Sequence, residues 1–386
     1  MVNLYLLSNQ YDAQTLSLAT AVLADQSRDV FFIEEKHLEK ELEPLSLLHK
    51  RLELNLINAT GTEKVSQALD RAGLQCQEYS STEPDLPEVL HKHFGKPRGY
   101  CFADPVSPAD SLKAAALAVR LGFYFLPLEA APLVAESGLP LIVVDPVDGA
   151  GKHLAERRVD AKFKIISDDR DLVNLFADYK LPLDYVVLYN SADLAADSRE
   201  GDCLGKLWVS GLSLLLLNLA TFRNVFPFDA ASSEPDPELI ENELNALVHQ
   251  LGLQPKYLAV LASPALVPFF YEEKKAITAW TEEMVRDIHI KLNNDLFFDL
   301  AEGRLMQHTT GGLATQLIST RRYAQIGEQT GNPTKEVLVV STPHVKSGII
   351  FASDDSLIEA QLLPLLEETG YRIKQLKGVD AHYSKV

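Results

Sequence analysis

The residues of this chain that could do chemistry fall mostly between 287 and 344. Asp287 and His289 stand two apart in the stretch RDIHIK, and that spacing predicts a shared face if the segment is a strand. Asp295 and Asp299 follow, with Glu302 just before Gly303-Arg304. Carboxylates with one histidine offer oxygen-rich coordination for a divalent cation, and a structural calcium is the ion this set suggests. The competing reading is a solvated acidic loop, in keeping with a net charge of -18. His344 closes the run EVLVVSTPHV, where a strand would deliver it to the carboxyl edge at which α/β proteins gather their sites. Arg304 and His344 are therefore candidate loop-site residues. Arg321 and Arg322 read as surface cations paired with carboxylates.

Covalent chemistry is harder to assemble. Cys76, Cys101 and Cys203 are far apart and form no CxxC pair, so neither a disulfide framework nor a zinc site of ordinary spacing is expected. Cys203 sits beside Asp202, whose charge disfavours a thiolate. All three read as free thiols.

Around these residues the chain is organised as α/β. It has 386 residues, 46% of them hydrophobic and 23% charged, enough apolar material for more than one core. The charge balance argues against a nucleic-acid partner, which would need clustered Lys and Arg. The most membrane-like segment, LWVSGLSLLLLNLATF at 207–222, is shorter than a spanning helix needs and is read as a buried helix. No membrane partner is expected, and no cofactor beyond the calcium. The N-terminus has no basic, apolar leader, so a cytoplasmic protein is expected unless an export signal has been removed.

Short apolar runs alternate with helical segments from residue 3 to about 190, which predicts mostly parallel sheets covered by helices. Three stretches share one plan. LYLLSNQYDAQTLSLATAVLA, YCFADPVSPADSLKAAALAVRLG and DYVVLYNSADLAADSREGDCLGKLWVSGLSLLLLNLA each read as strand, polar loop with Asp, and apolar helix. Any α/β protein echoes itself in this way; tandem units remain open. The Pro- and acid-rich run PFDAASSEPDPE at 227–238 predicts a boundary. The expected regions are 1–226, divisible at about 97 into two three-layer units, and 236–386.

Lys256 to Gly378 resembles the run-up to the catalytic subdomain of gingipain-type cysteine peptidases, which have a caspase-like fold. Tyr257-Leu258 through Pro268 match the family's first strand and substrate-side loop, and Asp287 to Arg304 match its Asp-rich block ending in Gly-Arg. Thr309 to Ile326 match the following helix, and Glu336 to Ser341 the first strand of the caspase-like domain. The chain departs from the pattern where Ala262-Ser263 replace a Gly-Asp. The family's catalytic His and Cys have no counterpart. The resemblance implies a truncated caspase-like region, inactive alone, with a protein or peptide partner. The alternative is a non-enzymatic α/β protein that binds or assembles with a protein or surface polymer.

Overall fold

The computed structural model describes residues 2–8, 13–33, 38, 42, 52–58, 63–80, 86–145, 163–191, 223–230, 234–262, 266–275, 281–292, 301–305, 318, 336–341, 363–368 and 372–377, with Gln26 and Gln75 left aside. The chain divides into two compact units, 1–321 and 322–386.

Buried strands of a parallel sheet read as unbroken apolar runs, because both faces are covered. YCFA and LIVV are such runs, and every residue of both is buried. Among the described residues the first unit holds three four-stranded parallel sheets. The first comprises β1 (Val2–Ser8), β2 (Arg28–Ile33), β3 (Leu52–Asn58) and β4 (Cys76–Ser80), in the spatial order β2-β1-β3-β4. The second comprises β5 (Tyr100–Ala103), β6 (Tyr124–Pro127), β7 (Leu141–Val144) and β8 (Phe163–Ile166), in the order β6-β5-β7-β8. The third comprises β9 (Tyr185–Tyr189), β10 (Val225–Asp229), β11 (Tyr257–Leu261) and β14 (Ala301–Arg304), in the order β10-β9-β11-β14. Counted within each sheet, all three share the order 2-1-3-4, and all their strand pairs are parallel. The expectation of mainly parallel structure up to residue 226 holds. The first strand of each sheet is the strand that opens one of the three echoing stretches.

The third sheet carries an insertion. Between β11 and β14 the chain forms an antiparallel hairpin of β12 (Phe270–Lys275) and β13 (Thr281–Arg286).

Helices link the repeats. Helix α1 (Ala13–Leu23) has every residue from Thr15 to Leu23 buried. It packs on β6, the edge strand of the second sheet, and on α4 (Pro108–Leu121). There the Thr20 hydroxyl donates to the Ser17 carbonyl and accepts the Phe125 backbone N–H at 2.9 Å, so an edge-strand donor is satisfied by a neighbouring repeat. Helix α4 in turn packs on β10, the edge strand of the third sheet. Near its end, Arg120 Nε donates to Asn224 Oδ1 at 2.6 Å, just before β10. Helices α2 (Glu63–Arg71), α3 (Leu86–Phe94), α5 (Asp169–Asp178) and α6 (Pro237–Leu251) also belong to this unit, with a single helical turn at Ala131–Val134. Gly252 stops α6 in the left-handed region at φ 66°, as expected for a glycine at a helix end.

Several expectations are corrected. The polar run SSTEPDLPE at 80–88 reads as a loop, yet α3 begins within it at Leu86, because Pro87 sits in the first helical turn, where no N–H is needed. The boundary expected at 227–238 lies within a sheet. Strand β10 before it and β11 after it pair with the same strand, β9. Pro227 marked that stretch as a break, yet proline is accepted in an edge strand, and β10 is one. Residue 97 lies between β4 and β5. Lys256 to Arg304 closes the third repeat and does not lead into a separate region.

In the second unit, β15 (Glu336–Ser341) and β16 (Arg372–Lys377) pair in parallel, with α7 (Leu363–Glu368) between them in sequence. No helix among the described residues is long and apolar enough to cross a membrane. The segment 207–222 and the helices expected at 36–50, 148–158 and 309–326 lie outside the described residues, wholly or nearly so.

Candidate functional site

Two clusters of polar residues stand out in the first unit. One surrounds Arg304 at the end of β14. Its guanidinium, 3% exposed, forms a two-pronged pair with Asp287: Nε donates to Oδ2 at 2.8 Å and Nη2 to Oδ1 at 2.7 Å. Nη1 donates to the carbonyls of Ala262 and Val267 at 3.1 and 2.8 Å. The guanidinium carbon also lies 4.4 Å from the Phe269 ring centre, a cation–π contact. One arginine thus ties the exit of β11, the entry to the hairpin and the exit of the hairpin together.

His289 is held in the same way. Strand β13 ends at Arg286, so Asp287 and His289 lie in irregular backbone and not on the strand their spacing suggested. The His289 ring pairs with Glu302, whose other oxygen accepts the Ile290 N–H at 3.3 Å. The His289 N–H donates to Glu241 on α6 at 2.9 Å. Asn245 donates to the His289 carbonyl at 3.0 Å and accepts from the Lys291 N–H at 2.7 Å, much as a neighbouring strand would. Burial holds the Glu302 carboxyl above the usual carboxylate range, and the His289 bond opposes this in part.

The proposed cation site therefore finds its two described ligands engaged in ion pairs. Asp295, Asp299 and His344 lie outside the described residues. Among the described residues no group of three or more His, Cys, Asp or Glu is arranged to hold a metal ion. Glu241 and Asn245 were missed. The available signal was a glutamate next to Ile240, Leu244 and Val248 on the buried stripe of α6, where a charge needs a partner.

The second cluster lies at the carboxyl edge of the second sheet. In an open parallel sheet, the crevice for a ligand forms where the strand order reverses, outside the carboxyl ends. In the order β6-β5-β7-β8 that point lies between β5 and β7. Asp104 immediately follows β5, and Asp145 immediately follows β7. Asp104 accepts the Val106 N–H at 2.9 Å, and its carbonyl accepts from the Ser107 N–H and the Ser111 hydroxyl at 3.0 and 3.1 Å. Ser107 caps α4 and donates to Asp110, so the helix starts at this edge. Asp229, ending β10 of the third repeat, accepts the Ser191 N–H at 2.9 Å.

Asp110 is raised above the usual carboxylate range, first by burial and then by the negative charges of Asp145 and Asp229, against the Ser107 bond and Lys113. The folded protein thus keeps this proton to a higher pH than the unfolded chain. Its contribution to stability is present below the unfolded value, about 4, and is lost as pH rises through the folded value. Relative to the native chain, Asp110→Asn is expected to be more stable at pH 7 than at pH 4, the gain levelling off above the folded value. Urea unfolding at the two ends of that range measures the difference.

Cys101 lies within β5, fully buried as a free thiol, and burial pushes its ionisation up. It fills core space. Cys203 lies outside the described residues.

No protein family matches the chain, and no curated protein matches it. Among solved structures, Cwp8 from Clostridium difficile aligns with a TM-score of 0.45 at 13% identity. The alignment covers 69% of this chain and 45% of that one, so this chain spans under half of that protein's length. The gingipain-type resemblance has no counterpart among these matches.

Proposed function

We propose that this chain is a non-enzymatic α/β binding or assembly protein, which uses its repeated sheets as a scaffold for a protein or surface-polymer ligand. The observation that supports this is the threefold recurrence of one strand order, which makes three equivalent switch points on one chain. The second of them is lined by Asp104 and Asp145, with Asp110 and Asp229 close by. Carboxylates at a helix start and a sheet edge suit ligands rich in ammonium or hydroxyl groups. The acidic balance of the chain favours the same ligands by long-range attraction.

A second reading rests on the other unit. The order β15, α7, β16, with parallel strands, is the βαβ start expected of a caspase-like region, and it supports a gingipain-like homologue that is inactive on its own. One experiment separates the readings from an active peptidase. The purified chain is incubated with Lys- and Arg-containing peptides and with amino-sugar oligosaccharides, and both turnover and binding are followed. Saturable binding without cleavage is expected. Cleavage that is lost on Cys203→Ala would overturn the non-enzymatic reading.

A further inference from the structure

We infer that the carboxyl edge of the second sheet takes an extended peptide in which lysine is flanked by aliphatic residues, docked on Val106 and Leu133. The inference rests on the ligand reading above and narrows it to one chemical class.

Water disfavours exposed aliphatic surface. Val106, 85% exposed, and Leu133, 62% exposed, are the two most exposed large hydrophobic side chains among the described residues. The topology brings both to one edge. Strands β5 and β6 are parallel neighbours, and Ala103 pairs with Pro127 at their carboxyl ends. The chain therefore leaves the sheet at two adjacent points, about 5 Å apart. Val106 follows the first point within a turn that Asp104 holds, its carboxylate accepting the Val106 N–H and its carbonyl the Ser107 N–H. Leu133 follows the second point in the single helical turn Ala131–Val134. Chain geometry limits the backbone separation of the two residues to about 27 Å, a span that about nine extended residues cover.

Charge selects the rest of the ligand. Residues 100–112 and 124–145 hold Asp104, Asp110, Glu129, Glu136 and Asp145, and no lysine or arginine. Asp104, Glu129 and Glu136 are exposed. Such an edge attracts cations and repels anions. Aliphatic side chains set among carboxylates match a peptide that carries ammonium and aliphatic groups side by side. An amino-sugar oligosaccharide brings the ammonium groups but mainly hydroxyls beside them, which gives Val106 and Leu133 no apolar partner.

The test is calorimetric titration of the native chain and of Val106→Ser/Leu133→Ser with three probes. One is a short peptide with lysines flanked by leucines. The second has serine in place of each leucine, and the third is a glucosamine oligosaccharide. The native chain is expected to bind the lysine–leucine peptide on the order of 10-fold to 100-fold more tightly than the lysine–serine peptide. In the variant that preference should shrink to about twofold or less, with the affinity for the lysine–serine peptide close to native. Both positions are exposed, so a native-like melt is expected of the variant. Three outcomes overturn the inference while leaving the acidic edge as a site: equal binding of the two peptides by the native chain, a preference that survives in the variant, or tighter binding of the oligosaccharide than of the lysine–leucine peptide. A native chain that binds neither peptide overturns the inference, and one that binds none of the three probes overturns the ligand reading with it.

Discussion

Replacing Arg304 by alanine is expected to lower the unfolding free energy by about 3–5 kcal/mol, the usual consequence of removing one partner from a buried ion pair. Arg304 is almost wholly buried, so solvent screens little of its interaction with Asp287. Its loss strands a carboxylate and leaves the carbonyls of Ala262 and Val267 without the donors they now have. Arg304→Lys should recover little, because an ammonium cannot reproduce two parallel bonds to one carboxylate while also reaching two carbonyls. Urea denaturation of the three proteins checks this. A loss below about 1 kcal/mol, typical of a surface pair, would mean that Arg304 is free for another task.

The second large effect concerns the repeats as a group. A chain beginning at residue 98, lacking the first sheet and α1, is expected to lose its cooperative unfolding transition. Helix α1 buries Leu16, Leu18, Ala19, Ala21, Val22 and Leu23, much of that against β6 and α4 of the second repeat. Removing it exposes that apolar face and strips the Phe125 N–H of its Thr20 partner. It also bares β6 as an unpaired edge. Differential scanning calorimetry should show one sharp transition for residues 1–321 within the intact chain, and none for the shortened chain at the same temperature. If the shortened chain melts as sharply and as late, the repeats are independent domains.

What could be read from the residues alone divides along physical lines. Strands such as YCFA and LIVV were legible because burial on both faces leaves an uninterrupted apolar run. Their parallel pairing followed from the helices between them. The shared plan of the three repeats was visible in the strands that open them, though the common strand order was not, since pairing is a long-range choice. Strand β10 was hidden by Pro227, and α3 by Pro87; in both places proline is tolerated for reasons of position that composition does not show. The hairpin was hidden by its charges, which suit an edge and defeat a search for alternating apolar residues.

The polar residues show a similar split. Asp287 and Arg304 were noticed as chemically capable, but their mutual pairing spans 17 positions and depends on the hairpin between them. Asp104 and Asp145 each follow a buried strand and Asp229 ends β10, in CFAD, IVVD and FPFD. That common placement is the available sign of a carboxyl-edge cluster.

The account holds that the carboxyl edge of the second sheet binds and that the Arg304 cluster holds the fold together. The most direct test is calorimetric titration of the native chain, of Asp104→Asn/Asp145→Asn and of Arg304→Lys with a lysine peptide and with an amino-sugar oligosaccharide, alongside thermal melts of each. The account predicts at least about tenfold weaker binding for the aspartate pair, or about 1.4 kcal/mol, with a melt close to native. For Arg304→Lys it predicts an early melt with native affinity in the folded fraction. Native affinity in the aspartate pair, together with lost affinity in an Arg304→Lys protein that melts normally, would contradict it.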